Sequence, residues 1–421
     1  MPTIISQVMK TTQLTLKQLQ TTAGGTAAAF RCTGELQPTG GQGTKIFPPT
    51  YEGGKYATEG PRFEDTEEGR RPTSFDRVLL DSVQSQANRM ELALLAAWEN
   101  KEISLPVITV DFHGFNLAKV IRVTTLEAPH RIADALLRDS LHPAEKEKFR
   151  ESSVGKALDE VDTRNATPLF HFCPTALLFG LWDSTGPKGG GGAKFQRAIV
   201  SEITGEEARV GVKTSSRLDP AQIQIAAGPL YRVAAGGWTL NPDEALKEKG
   251  KPVNLGKDGK PSEANHGNVT PGIEAGGVVV KRAVLTTVLS LTAIRRLRFP
   301  ISGKHDPKVD AAAWTVLAAL GLCAATLARD QNTDLRSRCQ LIPSAPYVWE
   351  LLDTLGGPPT GFELDRPSAL ALFNEAVAGA KSVGLPWQEQ ELVLVPSPQL
   401  VELVRRSQQL AAQQVPVKGG N

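Results

Sequence analysis

The sequence has little cysteine, and no two cysteines have the spacing of a metal-binding pair. Only Cys32, Cys173, Cys323 and Cys339 occur among 421 residues, and none belongs to a Cys-x-x-Cys motif. A disulfide framework and a structural zinc site are therefore not indicated. A few reduced thiols are typical of a cytoplasmic protein, and we expect that location.

Long apolar runs and a strong excess of one charge are missing as well. No run reaches the roughly 20 apolar residues of a membrane span, and the first residues, MPTIISQVMKTTQLTLKQLQ, have no apolar signal-peptide core. We therefore expect no membrane association. The 47 basic and 45 acidic residues give a net charge of +2. A surface for nucleic acid would have to gather its cations in one place.

Clustered catalytic groups are also scarce. The six histidines are scattered and none lies beside a serine or cysteine nucleophile motif. No carboxylates have metal-ligand spacing. His130 and Asp134, four residues apart, admit a general acid–base pair, but an ion-pair network with their charged neighbours is the favoured interpretation. We expect a protein without enzymatic activity and without a cofactor.

The most distinctive stretch is residues 167–205. An apolar run at 168–182 leads into DSTGPKGGGG, and an alternating, strand-like run follows at 197–203. Glycine allows close backbone approach and positive φ, and backbone N–H groups with nearby cations suit a phosphate. The candidate contacts of this loop and the strand after it are Lys188, Gly189, Gly190, Lys194, Arg197 and Ser201.

Three interpretations of the glycine loop remain open. A Walker A loop needs G-x-x-x-x-G-K-[ST] after a strand, whereas here Ala193 precedes Lys194 and Phe195 replaces the Ser or Thr. A flexible linker is the second interpretation. The third, which we favour, is a loop that contacts the backbone of RNA or DNA.

A second set of candidates lies on the strongest predicted helix, 75–100. Gln84 and Asn88 are one helical turn apart, and so are Ser85 and Arg89. Such groups hydrogen-bond phosphates and sugar hydroxyls. The alternative is a solvated helix face.

Arginines in the C-terminal half form two further sets. Residues 281–298 contain five basic and no acidic residues, more than a helix C-terminus alone requires, and arginine binds phosphate in a bidentate manner. This set favours nucleic acid or a partner protein. The second set precedes a strand and has ion pairing with Asp330 and Asp334 as its alternative. The candidates in the two sets are Arg282, Arg295, Arg296, Arg298, Arg336 and Arg338.

Interleaved short strands and helices, without a dinucleotide-binding fingerprint, predict an α+β domain with a small antiparallel sheet. We expect a strand at 27–36, a hairpin of 197–203 with 208–213, and an apolar helix at 309–329. Residues 37–74 are predicted to be a mobile loop. Residues 238–277 are polar and rich in glycine and proline, too long for an ordinary connection.

Several blocks of the chain resemble the backbone subunit of type I-G CRISPR surveillance complexes, formerly called type I-U. This subunit is the RAMP-superfamily protein that forms the backbone of Cascade. The blocks are DSVQSQANRME (81–91), HRIADALLRDS (130–140), PTALLFGLWDSTGPKGGGGAKFQRAIVSEI (174–203), VLSLTAIRRLRFP (288–300) and LRSRCQLIP (335–343).

The resemblance implies one RAMP-type domain over residues 1–421. It would have an RRM-like (ferredoxin-like) palm with an antiparallel sheet and helical finger insertions, formed by 24–237 and 278–421. The segment 238–277 would be a long thumb insertion. The palm lacks RNP-type strand aromatics, so stacking on the exposed sheet is not expected.

The resemblance also implies a role in CRISPR antiviral defence. Several copies would polymerise along the guide crRNA, bind its sugar-phosphate backbone and present the spacer for pairing with target DNA. Other expected partners are a fused guide-processing subunit, the large subunit and a recruited helicase-nuclease. Two alternatives remain: a non-catalytic scaffold that binds an acidic protein, and a RAMP-type endoribonuclease that processes guide RNA.

Overall fold

The computed structural model describes residues 11–66, 69–183, 194–331, 333–353 and 355–413. Over these residues the chain is α+β, with one large mixed sheet and several small ones. The α-helices are α1 Leu16–Gly24, α2 Val83–Glu99, α3 Ala135–Arg138, α4 Ser153–Asp159, α5 Thr167–Phe172, α6 Pro174–Phe179, α7 Leu291–Ile294, α8 Pro307–Gln331, α9 Arg366–Ser382 and α10 Pro398–Gln413.

The strands range from two to nineteen residues. They are β1 Thr11–Gln13, β2 Ala27–Pro38, β3 Thr50–Tyr51, β4 Lys55–Tyr56, β5 Thr58–Thr66, β6 Gly69–Asp81, β7 Ile108–Asp111, β8 Arg122–Thr124, β9 Ser140–Leu141, β10 Leu181–Trp182, β11 Lys194–Phe195, β12 Ile199–Arg217, β13 Tyr231–Arg232, β14 Trp238–Thr239, β15 Lys247–Glu248, β16 Lys251–Pro252, β17 Val269–Val279, β18 Arg282–Ser290, β19 Asp334–Arg336, β20 Cys339–Pro343, β21 Trp349–Asp353, β22 Thr360–Glu363 and β23 Leu392–Pro396.

Antiparallel strands form the centre of the large sheet. β2 pairs with β18, and β18 pairs with the first half of β12. The other edge of β2 pairs with β20 and β21. Across the centre of the sheet the strands lie in the order β20/β21, β2, β18, β12. When they are numbered by their order in the chain, with β20 and β21 counted as one position, this order is fourth, first, third, second.

Alternation along β2 sets the two faces of this sheet. Phe30, Cys32 and Leu36 are buried on one face, whereas Arg31, Thr33 and Glu35 point to the opposite face. Helices α2 and α8 contact each other and pack on the buried face. Gly321 lets α8 approach β18, since a Cβ there would lie 2.8 Å from the Leu289 Cδ1 atom.

Helix α8 confirms the apolar helix that the sequence predicts at 309–329. By length and composition, residues 307–330 would suffice to cross a membrane, with a mean hydropathy of 1.9. However, 83% of the apolar window is buried within the protein. In this fold α8 is therefore the central core helix, on which α1, α2 and α9 pack.

The predicted hairpin of 197–203 with 208–213 is wrong, because β12 is one strand of nineteen residues. It pairs with β18 as far as Glu206 and continues, paired with β17, from Arg209 to Arg217. The Gly205–Glu207 segment, which the sequence suggests is a turn, is an irregularity between these two ladders. Only Glu207 takes a positive φ there, 47°.

The strands β12 and β17 extend the sheet into an arm, which we define as residues 209–279. On the other edge of β12, β6 pairs no further than Arg209, so the rest of the arm is a two-stranded ribbon with residues 218–268 at its tip. The predicted insertion 238–277 therefore has its structural base earlier in the chain. Its last residues belong to β17 rather than to a loop.

The loop expected at 37–74 contains strands, which corrects its secondary structure. β5 pairs with β6, and β6 pairs with β12. β5 and the first half of β6 lie at the sheet edge. Residues 59–64, 72 and 73 are exposed, so the apolar alternation that marks a half-buried strand is missing. The same strand continues to Asp81, so the helix predicted to begin at 75 begins at Val83.

Candidate nucleic-acid interface

Several predicted contacts meet at one buried carboxylate, that of Asp81 at the end of β6, which is 0% exposed. Ser85 Oγ donates to Asp81 Oδ1 at 2.8 Å, and Arg89 Nε donates to Oδ2 at 2.9 Å. Arg336 lies 3.4 Å from Oδ1 and donates to the Leu80 carbonyl at 2.8 Å. These side chains connect α2 and β19 to the end of β6.

Ser201 belongs to the same polar network through Gln86, a residue that the sequence did not suggest. Gln86 Nε2 donates to Asp81 Oδ2 at 2.7 Å, and Ser201 Oγ donates to Gln86 Oε1 at 2.9 Å. Ser201 also shares a hydrogen bond of 2.8 Å with Thr287 and is 2% exposed. The geometry gives Ser85, Arg89, Ser201 and Arg336 internal roles, and their contact with RNA stays a prediction.

The other two helix-face candidates lie on the surface. Gln84 and Asn88 are exposed and one turn apart on α2. The helix begins at the Ser82 N-cap, which accepts a hydrogen bond from the Ser85 backbone N–H at 3.2 Å. Gln84 and Asn88 are thus accessible to a ligand.

The basic set of 281–298 is not one cluster, because β18 separates its two ends. Nine residues of strand extend roughly 26 Å between the first and last Cα at ~3.3 Å per residue. At the end of β18 that lies next to the base of the arm, Arg282 Nε donates to Glu206 at 2.7 Å and Lys281 Nζ donates to Glu207 at 2.6 Å. Both cations are paired with acids of β12.

At the other end of β18, Arg295 and Arg298 are held within the chain. Arg295 donates to backbone carbonyls at the end of α1 and to the carbonyl of Ala27 at the start of β2, and burial lowers its pKa. Arg298 donates to the Arg295 carbonyl at 2.6 Å, and its guanidinium lies 5.4 Å from the centre of the Trp314 ring. These arginines have intramolecular partners, whatever else they contact.

Arg296 points away from this packing and towards the glycine-loop region. It is exposed, and its guanidinium donates to Gln196 Oε1 at 3.4 Å. Gln196 lies between Lys194 and Arg197, both of which are exposed. We call Lys194, Arg197 and Arg296 the basic cluster. Lys188, Gly189 and Gly190 lie outside the described residues.

Among the described residues, no carboxylate lies within 4 Å of the cations of the basic cluster. Arg197 does act electrostatically on buried Glu91, since burial raises the pKa of that carboxyl and Arg197 helps to lower it. Arg338 also lacks a carboxylate within 4 Å among the described residues but lies elsewhere, with its guanidinium 3.9 Å from the centre of the Phe47 ring. Exposed cations without a carboxylate partner can donate charge-assisted hydrogen bonds to phosphate oxygens. The structure therefore brings Arg296 to Lys194 and Arg197, from which it is separated by about a hundred residues in the sequence.

The open face of the central sheet has a different character. Its outward residues on β2, β12 and β18 are mainly Thr, Val, Glu and Arg, with none aromatic. Glu202 lies on this face, and burial together with nearby Glu59 raises the pKa of its carboxyl. This mixed, partly acidic surface is a poor platform for an RNA backbone.

Beside the basic cluster lies a cleft of about 310 Å³. Trp182, 69% exposed, forms one wall, and Lys194, Arg197 and His130 also line it. The sequence analysis did not single out Trp182, because it ends the apolar run at 168–182 and such runs are usually buried. The available signal was its position immediately before the DSTG break.

The floor of the cleft contains a buried ion pair. Arg131 binds both oxygens of Glu91 at 2.7 and 2.8 Å and donates to the Gly180 carbonyl at 3.0 Å. Burial raises the pKa of Glu91 to about 7, with Arg131 opposing that shift. The ion pairs predicted between His130, Arg131 and Asp134 are therefore replaced by other contacts. Arg131 pairs with Glu91 of α2, and Asp134 caps α3 by accepting a hydrogen bond from the Leu136 N–H.

The described residues contain no group of three or more His, Cys, Asp or Glu placed to hold a metal ion. All four cysteines are free and buried. Burial raises the pKa of Cys323 to about 12 and that of Cys339 to about 11. These thiols pack as small apolar side chains.

Residues 30–210 match the family model of the CRISPR-associated protein GSU0053. No curated protein matches the chain. Among solved structures, a chain of a "CRISPR RNA-guided surveillance complex, pre-nicking" is similar at 9% identity and a TM-score of 0.29, over 90% of this chain and 99% of that one. A TM-score at this level carries no conclusion about fold. The family match covers less than half of the chain, includes Lys194 and Arg197, and supports a CRISPR-associated role.

Proposed function

We propose that this protein is the backbone subunit of a type I-G Cascade complex and takes part in CRISPR antiviral defence. Copies of it polymerise along guide crRNA, bind the sugar-phosphate backbone and present the spacer to target DNA. The observation that carries the proposal is the basic cluster, three exposed cations without an acidic partner, in a chain similar to a CRISPR-associated family. Base pairing then reads the sequence, and the protein holds the backbone.

The palm of this subunit is RRM-like. Two features support that assignment: the fourth-first-third-second strand order, and the positions of α2 between the first and second strands and α8 between the third and fourth. A split β-α-β arrangement of this kind defines the ferredoxin-like topology. The arm of residues 209–279 is the thumb, with a base earlier than the sequence suggested.

The remaining parts of the proposal follow from the same role. The subunit is a cytoplasmic, non-catalytic RNA-binding protein. Its partners are crRNA, target DNA by way of the guide, further copies of itself, and the guide-processing and large subunits. A helicase-nuclease recruited to the complex would degrade the DNA.

The test measures RNA affinity across a salt series, with a fluorescent single-stranded RNA. The triple variant Lys194→Ala/Arg197→Ala/Arg296→Ala removes the basic cluster. A matched control, Arg62→Ala/Lys381→Ala/Arg406→Ala, removes the same charge from exposed cations that are already paired with acids and are not candidate contacts. Each lost phosphate contact should lower the slope of log K against log[salt] by about 0.7 for a single strand.

We expect a slope about 2 units smaller for the cluster variant and little change for the control. Equal slopes for both variants would show that the basic cluster does not contact RNA. A wild-type protein that binds an acidic protein but no RNA would support the scaffold alternative. A cleaved product after incubation with repeat RNA would support the endoribonuclease alternative.

A further inference from the structure

Trp182 is exposed for a structural reason. Gly180 ends α6 with a φ of 90° and turns the chain into β10. In the short ladder β10–β11, Leu181 pairs with Phe195 and Trp182 pairs with Lys194. Leu181 and Phe195 are buried on one side, so the alternation of a strand places Trp182 and Lys194 on the other.

The wall formed by Trp182 carries an adjacent cation. Lys194 Nζ lies 6.0 Å from the centre of the Trp182 ring. A hydrogen bond holds the Arg197 side chain near the floor, since its Nε donates to the Phe179 carbonyl at 3.2 Å. The Arg197 side chain also passes over Gly180, where a Cβ would lie 3.0 Å from its Cγ. The cleft thus combines an aromatic face with two cations.

The volume and chemistry of the cleft are those of a small ligand site. A volume of about 310 Å³ is at the lower end of the roughly 300–1,000 Å³ of ligand pockets. The Glu91–Arg131 pair at the floor is buried, with side chains 4% and 10% exposed. A flat ligand that carries negative charge at its edge matches these features.

We propose that this cleft binds one nucleobase of single-stranded RNA. The base stacks on Trp182, and the flanking phosphates lie against Lys194 and Arg197. An acidic peptide would use the two cations but not the aromatic face, and a membrane surface would need several protruding apolar side chains. Stacking on an aromatic face accepts any base, as a guide-binding protein requires. This inference rests on the proposed function and locates one contact of the guide.

The first experiment separates stacking from phosphate binding. The affinity for oligouridylate RNA is compared with that for an abasic strand of equal length, which keeps the phosphates but has no bases. The variants are Trp182→Ala, Trp182→Phe and the control Trp238→Ala, an exposed tryptophan at the tip of the arm. We expect Trp182→Ala to lose about tenfold in affinity for oligouridylate and nothing for the abasic strand.

Trp182→Phe should retain most of the affinity, because it keeps an aromatic face, and Trp238→Ala should leave the preference for bases unchanged. A second measurement uses RNA with 5-iodouridine and ultraviolet crosslinking, followed by peptide mass spectrometry. We expect the adduct on Trp182.

The outcomes distinguish the two proposals. If wild-type protein binds RNA but Trp182→Ala keeps its preference for bases and the adduct lies elsewhere, the cleft is not a base site and the proposed function survives. If wild-type protein binds neither strand, the proposed function fails and this inference fails with it.

Discussion

At the scale of single residues, polar groups that suggest a binding surface in the sequence serve different purposes in the fold. Ser85 and Arg89 share a helix turn with Gln84 and Asn88, yet the first pair turns inwards to Asp81 and the second faces solvent. In both pairs the residues are polar and four positions apart. Only the position of the β6 carboxylate decides between them.

The Asp81 network gives a prediction about stability. Asp81→Ala would leave Arg89 and Arg336 without their counter-charge, with side chains only 18% and 27% exposed. We expect a loss of about 3 kcal/mol in the free energy of unfolding, as found when one partner of a buried pair is removed. Chemical denaturation monitored by circular dichroism measures it.

The matched control is Asp76→Ala on the same strand. Its carboxylate pairs with Arg62 in solvent, with side chains 62% and 77% exposed, and such pairs contribute less than about 1 kcal/mol. If both variants lose the same small amount, Asp81 is not the centre of a stabilising network.

At the scale of elements, the close packing of α8 on β18 positions the strand whose end leads to Arg296. Leu289 and Leu178, both fully buried, lie against the helix where Gly321 has no side chain. An added methyl group there would lie 2.8 Å from Leu289 Cδ1 and 3.1 Å from Leu178 Cδ1. The glycine is therefore a packing requirement within a helix that otherwise disfavours it.

Two glycine substitutions test this packing. Gly379→Ala in α9 adds a methyl group where nothing lies within 4 Å, so we expect the gain of roughly 0.5–1 kcal/mol that alanine gives over glycine in a helix. Gly321→Ala has the same intrinsic gain but overpacks the core, at a cost of about 1–3 kcal/mol. Thermal denaturation should rank Gly379→Ala above wild type and Gly321→Ala below Gly379→Ala. Equal stabilisation by both would show that α8 has room at β18.

At the scale of the whole molecule, the tip of the arm is separate from the buried core. Neither buried apolar cluster contains a residue between 218 and 268. The strands at its base are continuous with the central sheet, because β17 and β18 pair in succession with β12. The base of the arm and the basic cluster lie at opposite ends of β18.

Removal of the arm tip tests its role as a thumb. We replace residues 219–267 with a short Gly/Ser linker, which retains the pairing of Arg217 with Val269. We expect little change in the melting temperature, since the core is untouched, and unchanged affinity for a short RNA that occupies one subunit. On a long guide, the variant should lose the periodic nuclease footprint of the filament.

The affinity for the short RNA is the internal control, because it shows that the basic cluster still works. A variant that assembles a full-length filament with a normal footprint would mean that the thumb lies elsewhere in the chain.

The sequence alone determined the features that depend on local pattern. The strand from Ala27, the apolar helix around 309–329 and the α+β class follow from periodicity and were confirmed. The resemblance of 81–91, 130–140 and 174–203 to a CRISPR-associated protein agrees with the family match over residues 30–210, and the type I-G backbone role stays a proposal. These features are predictable because they need only the period of apolar residues or the order of the letters.

Tertiary structure alone decided which polar residues are exposed and which bind within the chain. Arg295 and Arg296 are neighbours in the sequence, but one binds carbonyls near α1 and the other reaches Gln196. Both halves of β12 were predicted as strands, but their continuity across Gly205–Glu207 was not. The edge strand β5 escaped prediction because its sequence has no apolar alternation. Trp182 became visible as a surface residue only when the pairing of β10 with β11 placed it outside the core. Each of these results depends on contacts between distant segments, which local pattern does not record.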